Sequence, residues 1–64
     1  HPGNLAFVML THHAQDLDAL HRVLAGAGHE IVTPPTEVPI GTDSQRLMLV
    51  RGPNEELFEF VERR

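Results

Sequence analysis

Two stretches of this sequence are apolar on both strand parities, and that constrains the fold more than any other feature. Leu5-Ala6-Phe7-Val8-Met9-Leu10 is apolar at every position. Leu57-Phe58-Glu59-Phe60-Val61 sets two phenylalanines on one parity and Leu57, Glu59 and Val61 on the other. Side chains alternate between the faces of a sheet, so strands of this kind need a cover on both sides. The chain offers one. Leu17, Leu20, Leu24 and Ala27 fall on a single stripe of a helix over residues 16–28. Asp16 is placed to cap its start, and Gly26 or Gly28 supplies the left-handed stop.

The remaining elements follow from turn chemistry. A second strand is predicted over residues 29–33, stopped by Pro34-Pro35. Residues 34–45 hold three prolines and a Gly-Thr-Asp-Ser cluster, and read as a loop with a short extended piece at Glu37-Val38. A third strand over residues 46–51, a turn at Gly52-Pro53-Asn54-Glu55 and a fourth strand over residues 56–62 complete the order β-α-β-β-β. The expected fold class is α+β, one helix on a four-stranded mixed sheet, with residues 1–64 forming a single module.

Strand parity then assigns the faces. Phe58 and Phe60 face the helix, with Phe7, Leu20 and Leu24 completing the expected core. Glu59 lies on the opposite face between Leu57 and Val61. If the helix covers Phe7, then Asn4, Ala6 and Val8 join Glu59, and His12 shares their parity at the rim. A turn confined to residues 52–55 places Arg46, Met48 and Val50 there too, with Leu47 and Leu49 under the helix. A carboxylate among aliphatic side chains is costly unless a partner neutralises or solvates it, and Arg46 and Arg51 are the nearest candidates in the hairpin.

Size sharpens the need for a second cover. A domain of 64 residues buries only about 60% of its unfolded surface. The absence of cysteine removes disulfides, thiolate metal sites and cysteine nucleophiles together. Oligomerisation or a metal is the expected support. Nine acidic residues against five arginines leave a net charge of −4 and no clustered basic face, which argues against nucleic acid. No apolar run approaches the roughly 18 residues of a membrane span. The expectation is a soluble cytoplasmic domain with no membrane partner. Five histidines invite a metal, but no His-Glu-x-x-His motif or i, i+4 histidine pair is present.

Three segments, in order, resemble a module of the vicinal oxygen chelate superfamily, which includes glyoxalases, bleomycin-resistance proteins and extradiol dioxygenases. Gly3-Asn4-Leu5-Ala6-Phe7-Val8 is similar to the family's opening Gly-His-Val-Ala-Phe. Asp16-Leu17-Asp18-Ala19-Leu20, leading to Ala25-Gly26-Ala27-Gly28, resembles its helix and the Ala-Ala-Gly that ends it. Residues 50–61 resemble its closing Arg-Asp-Pro-Asp-Gly-Asn-Leu-hydrophobic-Glu-Phe.

The resemblance implies a βαβββ module that pairs with a second module or copy around a shared small-molecule cavity. Each module can give a divalent metal a histidine from its first strand and a glutamate from its last. Glu59 matches the glutamate and is the expected catalytic and metal-binding residue. Asn4 stands where the histidine is usual, a weaker ligand for nickel, iron or zinc. Gly52 stands in place of an aspartate, and Glu55 in place of a glycine that takes positive φ. Asn4, Ala6, Val8, Met48, Val50, Leu57 and Val61 are the expected substrate-binding residues. Two function classes stay open. One is metal-dependent Lewis-acid chemistry of the glyoxalase or dioxygenase kind. The other is non-catalytic binding of a drug or metabolite, as in resistance proteins. An excised or engineered half-domain without a complete site is the third reading.

Overall fold

A computed structural model describes residues 9–63 of the chain. Strand β1 (Met9–Ala14) leads into helix α1 (Leu17–Gly26), followed by β2 (Glu30–Ile40), β3 (Asp43–Arg51) and β4 (Leu57–Glu62). The sheet order is β1-β4-β3-β2, with β1 parallel to β4 and the other pairs antiparallel. The expected α+β architecture, one helix on a four-stranded mixed sheet, is the observed one. No helix among the described residues is long and apolar enough to cross a membrane.

The helix is bounded as its sequence predicts. Asp16 Oδ1 accepts the Ala19 backbone N–H at 3.1 Å, satisfying one of the orphan donors of the first turn. At the other end Gly28 takes φ 90°, and the N–H groups of Gly28 and His29 donate to the carbonyls of Ala25 and Leu24, both at 3.1 Å. This is the Schellman closure, and Gly28 rather than Gly26 supplies its left-handed residue.

Two strands run past their expected ends. β1 continues through Thr11, His12 and His13 to Ala14. β2 continues through Pro34, Pro35 and Pro39 to Ile40, where the stretch was expected to be mostly loop. Its register with β3 shifts between Ile31 and Thr33 and again between Thr33 and Thr36. β2 is an edge strand, so prolines lacking an N–H are tolerated at such irregularities.

The face assignment needs two corrections. The first is the β3–β4 register. A turn confined to residues 52–55 would pair Arg51 with Glu56, but Arg51 pairs with Leu57, Val50 with Phe58, Leu49 with Glu59 and Met48 with Phe60. The register differs by one residue, and a one-residue slip moves every side chain to the other face. The Gly52 N–H donates to the Glu56 carbonyl at 2.8 Å, and the Glu55 N–H to the Gly52 carbonyl at 3.2 Å. Glu55 takes φ 68°. This is the hairpin loop in which a β-turn is followed by a left-handed residue, and the extra residue sets the register. Met48 and Val50 therefore lie under the helix, 0% and 3% exposed, and not in a cavity. Arg46 shares their face.

The second correction concerns β1. Its parallel register sets Thr11 beside Glu59, and Leu10 and His12 beside Phe58 and Phe60. Met9, Thr11 and His13 thus share the Glu59 face, and His12 does not. An all-apolar strand carries no parity signal of its own, so the expected orientation had rested only on Phe7. Asn4, Ala6, Val8 and Phe7 lie outside the described residues.

The core joins Leu17, Met48 and Val50, with Ala14, Leu20, Leu24, Ile31 and Phe60 packed around them. Leu17 is fully buried and was not among the expected core residues. Phe58 stands beside Phe60 on the same side, ring centroids 6.4 Å apart, with the His12 ring 5.6 Å from Phe60 and 6.1 Å from Phe58.

Candidate functional site

The face turned away from the helix carries the candidate site. Its middle is formed by Leu57, Glu59 and Val61 of β4, with Leu47, Leu49 and Arg51 of β3 on one flank and Met9, Thr11 and His13 of β1 on the other. Val61 is buried, while Leu47, Leu49, Leu57 and Glu59 are half-buried. Glu59, Leu57 and Val61 are thus on the face expected of them. Leu47 and Leu49 replace Met48 and Val50 on this wall.

Thr11 is the residue that sequence reasoning missed. Its hydroxyl donates to Glu59 Oε1 at 3.0 Å, in register across the β1–β4 pair. No sequence signal sets this hydroxyl opposite the carboxylate, because the pair depends on the β1 register.

The arginines considered as partners for Glu59 are engaged elsewhere. On the helix side the Arg46 guanidinium donates to Asp18 Oδ1 at 2.8 Å and to Glu62 Oε1 at 3.1 Å. The hydrogen bond from Arg46 holds the Asp18 carboxyl below its ordinary range, and the same contacts raise the guanidinium above its own. Arg51 lies 3.4 Å from Glu30 at the sheet edge. Glu56 is also depressed, by its own backbone N–H and then by that of Asn54, which reaches Glu56 Oε1 at 2.9 Å. It serves the turn.

The donor set does not fit a metal centre within this chain's described residues. No group of three or more histidine, aspartate or glutamate side chains converges there. Glu59 brings one carboxylate, and one of its oxygens already accepts a hydroxyl. A divalent transition metal needs further nitrogen or oxygen ligands in fixed geometry. What the face offers is an apolar wall around one oriented acceptor, suited to burying an apolar molecule and fixing its polar group.

No family model matches the sequence, and no curated protein matches it. Solved structures do. The chain is similar to TioX from Micromonospora sp. ML1, with 30% identity over 84% of this chain and a TM-score of 0.74. It is also similar to a member of the glyoxalase/bleomycin resistance protein/dioxygenase superfamily from Sphaerobacter thermophilus DSM 20745, with 24% identity over 89% of the chain and a TM-score of 0.78. The hypothetical protein SA1046 from S. aureus matches over 88% of the chain at 19% identity and a TM-score of 0.65. The chain spans 42%, 43% and 43% of the lengths of these three structures.

Proposed function

We propose that this chain, whose fold is that of one module of the glyoxalase/bleomycin resistance protein/dioxygenase superfamily, forms one wall of a small-molecule binding cavity. The observation that carries this reading is the Glu59 face itself, an apolar surface of Leu47, Leu49, Leu57 and Val61 around a single oriented carboxylate. A second module or a second copy completes the cavity by covering that face. The β1 edge supports such pairing. β2, at the other edge, carries three prolines and two register shifts that blunt it, whereas β1 presents a regular edge with Met9 and Leu10 53% and 41% exposed.

Binding without chemistry is favoured over metal-dependent catalysis because the donor set around Glu59 is too small among the described residues. By the sequence resemblance Glu59 matches the last-strand position of the family's metal-ligating glutamate, so catalysis is the second reading and requires ligands from the partner module.

Titration of the ¹⁵N-labelled protein with a neutral apolar probe, 2-naphthalenemethanol, tests the reading. Amide shifts are expected at Leu47, Leu49, Leu57, Glu59 and Val61. Shifts confined to the helix side, around Leu24, Phe58 and Phe60, would overturn it.

A further inference from the structure

The charge balance of the Glu59 face names the ligand's polar group. Leu49, Leu57 and Val61 surround the Glu59 carboxylate, so a charged partner arriving there meets little competing polarity. Arg46 is on the opposite face with Asp18 and Glu62. Arg51 shares the Glu59 face, opposite Leu57, and is paired there with Glu30 at the sheet edge. Among the described residues, the hydrogen-bond partner of Glu59 is the Thr11 hydroxyl, which orients the carboxylate without neutralising it. Thr11 donates to Oε1, which leaves Oε2 for an incoming donor.

We propose that Glu59, positioned by Thr11, forms a subsite for a protonated amine carried on an apolar body. The inference rests on the cavity reading above and adds to it the class of ligand. An ammonium group satisfies the carboxylate by a charge-assisted hydrogen bond, which is stronger in an apolar surround than in water. The aliphatic wall takes the rest of the molecule by burial. A neutral alcohol of the same shape gains the burial and a hydrogen bond, without the attraction between opposite charges. An anionic ligand would face the carboxylate, and the arginine on this face, Arg51, is already paired with Glu30.

The test compares two probes of one shape, 2-naphthylmethylamine and 2-naphthalenemethanol, by NMR titration at neutral pH. The amine is expected to bind roughly 10- to 100-fold tighter, as a hydrogen bond to a charged group implies. Glu59→Gln should remove that preference, bringing the two probes to within about twofold of each other. Thr11→Val should reduce the preference and Thr11→Ser should retain it, which separates a positioning hydroxyl from mere packing. Equal affinities in the parent protein would overturn the amine subsite and leave the cavity standing. Failure of both probes to perturb the Glu59 face would overturn the cavity reading and the subsite with it. A parent preference that survives Glu59→Gln would assign the amine to another acceptor and end this proposal.

Discussion

Glu62 holds the helix to the sheet through both of its oxygens: Oε2 accepts the Leu17 backbone N–H at 3.0 Å, and Oε1 accepts Arg46 at 3.1 Å. Leu17 is the most buried residue of the helix, and its N–H is one of the orphan donors of the first turn. Arg46 continues the link to Asp18, on the next residue of that turn. Three elements, α1, β3 and β4, thus meet at one guanidinium.

That meeting point makes stability sensitive to acid. A carboxyl whose pKa is depressed on folding adds stability at neutral pH, and the contribution is lost as pH falls through the folded value. Asp18 is depressed chiefly by its hydrogen bond from Arg46. Asp18→Asn should therefore lower the melting temperature at pH 7. The gap between variant and parent should narrow as pH falls below the ordinary aspartate range. A gap that is constant between pH 7 and pH 3 would show that the ion pair contributes nothing.

The corrected β3 faces give a direct comparison. Met48 is fully buried beneath the helix, whereas Leu49 is half-buried on the Glu59 side. Met48→Ala should destabilise by about 2–5 kcal/mol in chemical denaturation. Leu49→Ala should cost less in the fold and act instead on binding of the neutral naphthalene probe. The opposite order would restore the faces that a shorter turn implied.

How much of this was legible follows from where periodicity carries information. The β4 alternation of Phe58 and Phe60 against Glu59 was readable because its parities differ in chemistry. The helix was readable from its stripe, from Asp16 at its start and from Gly26 or Gly28 at its end, although only the structure singles out Gly28. β1 was not, because Leu5 to Leu10 is apolar on both parities and has no inward signal. The β3 register turned on a single loop residue, Glu55, and loop length is what fixes hairpin register. Prolines in β2 read as loop because a strand's place in the sheet is not written in its own sequence. The Glu59–Thr11 pair depended on the β1 register and was lost with it.

Glu55 carries the conformation that a glycine would adopt freely. Its φ of 68° costs a side-chain-bearing residue about 1–2 kcal/mol. Glycine also gains entropy in the unfolded chain, which offsets part of the relief. Glu55→Gly should therefore stabilise by up to about 1 kcal/mol. Glu55→Ala, which keeps the strain, should not. Paired urea titrations read the difference.

Gly52 is constrained by space. A Cβ there would lie 2.5 Å from Glu56 Oε1 and 2.6 Å from Phe58 Cε2. The glutamate tip can swing away, but the phenylalanine ring is set by the sheet. Gly52→Ala should cost about 1–3 kcal/mol through displacement of that ring. Gly52→Asp, the residue usual at this place in the resembled family, should cost more. Stability unchanged in both variants would show that the loop yields at no cost.

The metal question separates the two functional readings. With Glu59 as the carboxylate at the centre of the face and Thr11 its neighbour, a transition metal has too few ligands among the described residues. Chelator should leave the melting temperature unchanged, and added zinc or manganese should raise it little. A ligand that binds the folded state at 100 times its Kd adds about 2.7 kcal/mol, so a tight site would be plain in the melt. Glu59→Gln should keep the fold, because Glu59 lies outside the Leu17–Met48–Val50 core. If chelator lowers the parent's melting temperature and Glu59→Gln abolishes that response, the metal reading replaces the binding one, with its remaining ligands supplied by a partner module. If Glu59→Gln alone is strongly destabilising, the Thr11–Glu59 pair is a structural tie between β1 and β4, and neither reading of the face survives.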